Sequence, residues 1–216
     1  MNALGRAYAR LAFGPASFVY EALTGGEGWR RDCREMAALV PGPRVLDLGI
    51  GPGTSALEMA RADPARLHVG LDLSASMLRT AAARARAARV PLPLLHADAL
   101  HLPVRTATFD GATGHSLLYL LPDPAAALAE VVRVLRPGGG LAFLEPASGE
   151  ASPRDALRDG ARHLLAMVMW RGMSGLHRRF TPEALVALGH AAGLIDVKAA
   201  LALSGYGVVL TGRKAG

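Results

Sequence analysis

The chain has 216 residues, of which 51% are hydrophobic and 19% are charged, and its net charge at pH 7 is +6. This length and composition predict one globular domain with a sizeable core. The apolar stretch Leu164 to Trp170 falls well short of the roughly 20 residues of a membrane-spanning helix. No pattern of a signal peptide stands at the N-terminus, so we expect a cytoplasmic protein.

The positive charge is nearly all arginine, scattered along the chain without an accompanying aromatic stripe. We therefore expect no nucleic-acid partner, because RNA and single-stranded DNA are bound by basic surfaces that carry stacking aromatic residues. Cys33 is the only cysteine. It excludes an internal disulfide and a cysteine-based zinc site, and we predict no metal site.

Short apolar runs alternate with longer alanine-rich amphipathic runs in the first two thirds of the chain. The predicted strands are 44–50, 67–73, 91–98, 109–115 and 141–147. The predicted helices between them are 54–62, 74–88 and 124–135. Repeated strand, helix, strand units predict an α/β fold, a doubly wound Rossmann-like sheet with mostly parallel strands.

The pattern changes after Pro146. A long helical stretch is predicted at 154–170 and a further helix at 181–193, and 194–214 reads as a C-terminal antiparallel hairpin joined near Ser204 to Tyr206. We therefore expect one domain over 1–216. Its predicted parts are an N-terminal helical lid at 1–42, a cofactor-binding core at 43–147, an inserted helical lid at 148–180, and a closing helix and hairpin at 181–216.

The stretch "VLDLGIGPG" joins the first predicted strand to a glycine-rich turn. Gly49, Gly51 and Gly53 let the backbone approach a ligand, and such folds bind ligands at the carboxyl ends of their strands. Asp72 ends the second predicted strand, where a carboxylate can accept both hydroxyls of a ribose. Asp47, beside the turn, favours a cationic group over a pyrophosphate. These residues together predict an adenosine-type cofactor.

Five stretches in order resemble the class I S-adenosylmethionine-dependent methyltransferases: "VLDLGIGPG", "GLDLSASML", "HADALHLP", "FDGATGHSLLYLLPDP" and "EVVRVLRPGGGLAFLEP". A nicotinamide enzyme would place its third glycine one position later. Within the family, the chain is most similar to the quinone-biosynthesis C-methyltransferases. The resemblance implies S-adenosylmethionine as cofactor and methyl transfer to a small, apolar or quinone-like acceptor. A phospholipid or membrane-surface methyltransferase, and a cofactor-binding protein without turnover, stay open as alternatives, as does the oligomeric state.

The resemblance also implies roles for individual residues. The methionine part of the cofactor would lie on Asp47 and on the backbone of Gly49, Ile50 and Gly51. The ribose and adenine would contact Asp72, Leu73, Met77, Asp98 and Ala99. Two of these have ordinary structural alternatives, because Asp72 can cap the helix that begins near Ser74 and Met77 can be a core residue.

His115, at the end of the fourth predicted strand, is the candidate catalytic residue, either as a base or as a hydrogen-bonding wall of the pocket. Weaker lining candidates are Tyr119, Glu145 and His177. Gly138 to Gly140 predict the turn before the fifth strand.

Two apolar segments look like a lid over the acceptor, or else like packed core helices. They comprise Tyr8, Leu11, Phe13, Phe18, Val19, Tyr20, Leu164, Leu165, Met167, Val168 and Trp170. Arg171, Arg178 and Arg179 follow the second segment and favour association with a membrane surface.

Overall fold

The structure is a computed structural model that describes residues 26–216. Its strands are β1 (Arg44–Leu48), β2 (Leu67–Asp72), β3 (Leu94–His96), β4 (Phe109–His115), β5 (Leu135–Pro146), β6 (Leu194–Ala202) and β7 (Gly207–Lys214). Its α-helices are α1 (Glu27–Ala38), α2 (Thr54–Ala62), α3 (Ala75–Ala88), α4 (Pro124–Val134), α5 (Pro153–Arg158), α6 (Ala161–Ser174) and α7 (Pro182–Ala191). Single turns of 3₁₀ helix lie at Leu118–Leu120 and Leu203–Gly205.

One sheet of seven strands organises the described residues, in the order β3-β2-β1-β4-β5-β7-β6. The first five strands of the chain run parallel, whereas β7 is antiparallel to β5 and β6 is antiparallel to β7. The order reverses between β1 and β4, so their carboxyl ends flank the position where such sheets bind ligands. The predicted Rossmann-like sheet with a C-terminal antiparallel hairpin is confirmed.

Both faces of the sheet are covered, and β5 shows how the strands divide their side chains. Leu141 and Phe143 belong to a large core with residues of α4 and α7. Ala142 and Leu144 belong to a second core with residues of α1 and α6. Successive side chains of a strand point to opposite faces, so an almost continuous apolar run is what a strand buried on both sides requires.

Local chemistry explains where the predicted boundaries were wrong. The third strand is only Leu94–His96, because Pro91 and Pro93 cannot donate to a strand ladder. The predicted helix 154–170 is two helices, α5 and α6, separated at Gly160, whose φ of 108° is not helical. The predicted turn at Gly138 to Gly140 lies inside β5, where the register against β4 shifts. The proposed lid residues up to Tyr20 lie outside the described residues.

We predict that Gly114→Ala lowers the free energy of unfolding by about 1–3 kcal/mol, the usual cost of overpacking a core. A Cβ at Gly114 would overlap the ring of Phe143 on the neighbouring strand. Chemical denaturation of both proteins measures the difference.

Gly172→Ala is the matched control, because a Cβ at this position of α6 meets nothing within 4 Å. It should leave stability unchanged or raise it by up to about 1 kcal/mol, since alanine is the better helix former. Equal stability of the two variants would contradict the packing described for β4 and β5.

Candidate functional site

The glycine turn follows β1 and carries the backbone into α2. Gly49 and Gly51 have φ values of 63° and 55°, a region that residues with a Cβ seldom adopt. A Cβ at Gly49 would press on Leu117, whereas a Cβ at Gly51 would meet no atom nearer than the Gly49 carbonyl oxygen at 4.0 Å. The backbone at Gly51 is therefore open to a ligand on its outer side.

Asp72 connects this turn to the end of the second strand. Its Oδ2 accepts the N–H of Gly51 at 2.8 Å, and its Oδ1 accepts the N–H of Ser74 at 2.7 Å. Burial raises the pKa of Asp72, while these two N–H groups lower it. The N-cap of α3 is Ser74 itself, whose Oγ accepts the N–H of Met77. Asp72 thus holds the turn, and each of its oxygens keeps a lone pair for a further donor.

The other residues predicted for the cofactor lie around this carboxylate. Leu73 is half exposed, whereas Ile50, Met77 and Ala99 are buried. Asp98 follows β3 and accepts the N–H of Leu100 at 3.0 Å. They follow β1, β2 and β3, whose carboxyl ends lie side by side, so the structure brings the predicted set to one edge of the sheet.

Asp47 lies under the turn and is fully buried. Its Oδ2 accepts from the hydroxyl of Ser55 at 3.2 Å, and its Oδ1 accepts from the hydroxyl of Thr113 at 2.9 Å. The Nδ1 of His115 lies 3.9 Å from the same Oδ1. A buried carboxylate needs such partners, because removing its charge from water without them is very costly. Asp47 therefore acts on the site indirectly, by orienting Ser55 and Thr113 and by attracting the proton of His115.

His115 is buried between Asp47 and α1. Its ring lies 6.0 Å from that of Trp29, centroid to centroid, and Trp29 makes an edge-to-face contact with Trp170 at 6.2 Å. Burial lowers the pKa of His115, whereas the Cys33 thiol and the Asp47 carboxylate raise it, and the result is about 10. A protonated imidazole donates hydrogen bonds and has no free lone pair for a proton. This charge state favours a donor role over a base role for His115.

Glu145, considered only as a lining residue, supports the segment after β4. Its carboxylate accepts three backbone N–H groups, from Leu117, Leu118 and Tyr119, at 3.0, 2.8 and 3.1 Å. Burial raises the pKa of Glu145 to about 7, against the three N–H groups, which lower it. The other two lining candidates also meet, because the rings of Tyr119 and His177 lie 5.8 Å apart in an edge-to-face arrangement.

Two polar residues at this edge were missed by the sequence reasoning. Ser116 has a φ of 58° and a buried hydroxyl without a hydrogen-bond partner. Asp32, on α1, has a buried Oδ2 that also lacks a partner. Unpaired buried polar atoms are rare and mark places where a ligand can complete the hydrogen bonding. The sequence does not predict the backbone angle of a serine that follows a strand. It also does not show that the Asp32 carboxylate is partly buried rather than on the helix surface.

The described part of the chain, from residue 26 onward, contains no helix that is long and apolar enough to cross a membrane. In the same range no group of three histidine, cysteine or acidic side chains could hold a metal ion. Arg171, one of the arginines expected to face a membrane, instead bonds the Gly149 carbonyl oxygen and lies over the ring of Tyr206. Association with a membrane surface stays a prediction.

The chain is similar to known proteins in sequence and in fold. Residues 45–139 match the model of a methyltransferase domain. The chain is 33% identical over 176 residues to a ubiquinone/menaquinone biosynthesis C-methyltransferase of Syntrophotalea carbinolica, covering 78% of this chain and 73% of that protein. The chain belongs to the class I S-adenosylmethionine-dependent methyltransferases.

A second relative of this methyltransferase is a demethylmenaquinone methyltransferase of Corynebacterium kroppenstedtii, 38% identical over 125 residues. That match covers 57% of this chain and 51% of the relative, so the chain spans about half the length of that protein. Among solved structures, the chain is similar to a phosphoethanolamine N-methyltransferase of Haemonchus contortus in complex with S-adenosyl-L-methionine. The TM-score is 0.72 at 16% sequence identity, and the match covers 98% of this chain and 60% of that chain. It supports the fold.

The residues present fit the cofactor of the family. S-adenosylmethionine offers two ribose hydroxyls, which need an acceptor such as the Asp72 carboxylate, and a methionine part that needs close backbone approach. The open outer side of Gly51, one hydrogen bond away from Asp72, supplies that approach. The half-exposed Leu73 adds apolar surface beside the same carboxylate.

We predict that Glu145→Ala lowers the free energy of unfolding by about 3 kcal/mol or more, because it leaves three backbone N–H groups without an acceptor. Chemical denaturation of the methyltransferase and this variant provides the measurement. Glu150→Ala, which removes an exposed carboxylate a few residues further on, is the control and should change stability by less than about 0.5 kcal/mol. A loss as small in Glu145→Ala would show that the segment after β4 does not depend on this carboxylate.

Proposed function

We propose that this methyltransferase transfers the methyl group of S-adenosylmethionine to a small, apolar, quinone-like aromatic molecule. The observation that carries the proposal is the similarity over 78% of the chain to a protein named as a ubiquinone/menaquinone biosynthesis C-methyltransferase. The relative named as a demethylmenaquinone methyltransferase supports the same class of acceptor. The cofactor supplies a methyl group already activated on a sulfonium, so the protein chiefly has to align the acceptor and exclude water.

Cofactor binding is assigned to the edge formed by β1, β2 and β3. Asp72 accepts the ribose hydroxyls, and the Gly49 to Gly51 backbone approaches the methionine part. Leu73 and Met77 lie on the adenine side, with Asp98 and Ala99 following β3. The hydrogen bond between Asp72 and the Gly51 N–H supports this assignment, because it fixes the two halves of the proposed site relative to each other.

The acceptor is assigned to the neighbouring end of β4, beside His115. Trp29 contacts His115 and packs against Trp170, in the apolar core that α1 and α6 form on this side of the sheet. In this arrangement the protonated His115, paired with Asp47, donates to an oxygen of the acceptor ring. Such a fixed cation stabilises the negative charge that the oxygen carries once its proton has left and before the methyl group is transferred.

We predict that Asp72→Ala weakens the binding of S-adenosylhomocysteine about tenfold to a hundredfold. A hydrogen bond to a charged acceptor contributes about 1.5–3 kcal/mol. Calorimetry measures the affinity. Asp63→Ala removes a surface carboxylate that pairs with Arg66, and it should leave the affinity unchanged. Equal affinities of the two variants, or tighter binding of NAD than of S-adenosylhomocysteine, would contradict the proposed cofactor site.

The acceptor class is tested by incubation with S-adenosylmethionine labelled in its methyl group. We expect label in a chemically reduced demethylmenaquinone, and in a quinone fraction when a cell extract replaces the pure acceptor. Label in phospholipid would instead indicate a phospholipid methyltransferase. Binding of the cofactor without label in either fraction would favour a binding protein without turnover.

A further inference from the structure

Asp32 is a partly buried acidic group that has no role in the function proposed above. Its side chain is 20% exposed, and its Oδ2 is buried without a hydrogen-bond partner. The nearest cation on its own helix, Arg31, places Nε 4.0 Å from the other oxygen, Oδ1. Arg31 is also engaged by Asp159, which accepts from two of its nitrogens at 3.3 Å. The free oxygen of Asp32 is therefore not neutralised by its helix.

The position of Asp32 on α1 brings it to the acceptor end of β4. Trp29, three residues earlier, packs against the ring of His115, and Cys33, the next residue, interacts with the same imidazole. Residues three and four apart share a helix face. Asp32 lies three residues after Trp29, at the side of the face that carries these two contacts, and His115 is among the charges that act on it.

We propose that Asp32 is a second catalytic residue, the group that takes the hydroxyl proton of an aromatic acceptor held beside His115. The inference rests on the proposed function, and it narrows the acceptor class to a ring that carries a free hydroxyl group, such as a hydroquinone. The acceptor O–H bond breaks, its electron pair stays on the acceptor oxygen, and the proton binds Asp32 Oδ2. The product pair is a neutral carboxylic acid and an aryloxide.

The pKa shifts of the two residues support a base role for Asp32 and a donor role for His115. Burial is the largest cause that raises the pKa of Asp32, which is about 6. The charges of Glu35 and Asp159 also raise this pKa, whereas those of Arg31 and His115 lower it. A base is most effective when its pKa lies near the working pH, and at neutral pH Asp32 is still ionised and ready to accept a proton. His115 is cationic at that pH and stabilises the aryloxide. The two residues thus supply the base and the donor separately.

The first test measures Asp32 without any ligand, by NMR titration of the protein labelled with ¹³C in its aspartate carboxyl groups. We expect one resonance with a midpoint near pH 6 that is absent from Asp32→Asn. In His115→Gln this midpoint should move upward, because the variant loses the cation that lowers it. A midpoint in the ordinary range of about 4 would overturn the proposal.

Stability gives a readout that a merely structural carboxylate would not show. A folded-state pKa above the unfolded value means that the contribution of Asp32 is complete below about pH 4 and is lost as the pH rises through 6. Asp32→Asn should therefore have a higher Tm than the wild type at pH 8 and an equal Tm at pH 4. A lower Tm at pH 8 would make Asp32 a structural residue and would overturn the proposal.

Turnover is measured with reduced demethylmenaquinone and S-adenosylmethionine. Asp32→Asn should lower kcat about a hundredfold, the usual effect of losing a general base, with S-adenosylhomocysteine affinity unchanged. Asp63→Asn, which makes the same change at a surface aspartate paired with Arg66, is the matched control and should keep its activity. Activity retained by Asp32→Asn would overturn the role of Asp32 alone. No methylation by the wild type would overturn the acceptor class and with it the proton that Asp32 is proposed to take.

Discussion

A buried carboxylate at the end of the first strand is the constraint on which this site depends. Asp47 has no contact with solvent, so its negative charge must be balanced inside the protein. Ser55 of α2 and Thr113 of β4 donate to its two oxygens, and His115 lies beside it. One side chain therefore fixes β1, the helix after the glycine turn and the end of β4 at a common point.

Cys33 and Asp47 together raise the pKa of His115. Burial lowers the pKa of His68 on β2 and outweighs the effect of the carboxylates that act on it, whereas for His115 the Cys33 thiol and the Asp47 carboxylate together outweigh burial. Beside Asp47 the imidazole is protonated, and Trp29 and Cys33 of α1 pack against it. The helix that precedes β1 thus contacts the histidine that lies beside the Asp47 carboxylate of β1. Trp29 and Asp32 are therefore both carried by the helix that contacts His115.

The sequence was informative where a local rule determines the structure. The central strand candidates were right because a strand covered on both faces has to be an apolar run, whereas the hairpin was right because two β-rich runs flank a turn near Ser204 to Tyr206. The glycine turn, Asp72 and Asp98 could be assigned to one site because the carboxyl ends of parallel strands meet at one edge. In the structure a hydrogen bond joins Gly51 to Asp72, and Asp98 follows the neighbouring strand; their assignment to a cofactor site stays a prediction.

Features that depend on packing between distant elements could not be predicted from the sequence. Asp32 resembles any polar residue on a helix surface until α1 packs against β4, which lies about 80 residues further along the chain. The division of the predicted helix at Gly160 depends on how α5 and α6 each pack, since a glycine inside a helical pattern is often tolerated. The role of Glu145 likewise needed the register between β4 and β5.

The distribution of perturbed acids supports the location of the site independently of any similarity. Within residues 26–216, three carboxyl groups have a raised pKa with burial as the largest cause, those of Asp32, Asp72 and Glu145. By contrast, Glu27 and Glu130 have lowered pKa values because each is paired with an arginine on a helix. Ionising a carboxyl group with a raised pKa costs stability, and such groups are concentrated at functional sites; Glu145 in addition holds three backbone N–H groups. All three carboxyl groups lie at the ligand edge of the sheet or on the helix packed against it, which is the distribution expected of an active site.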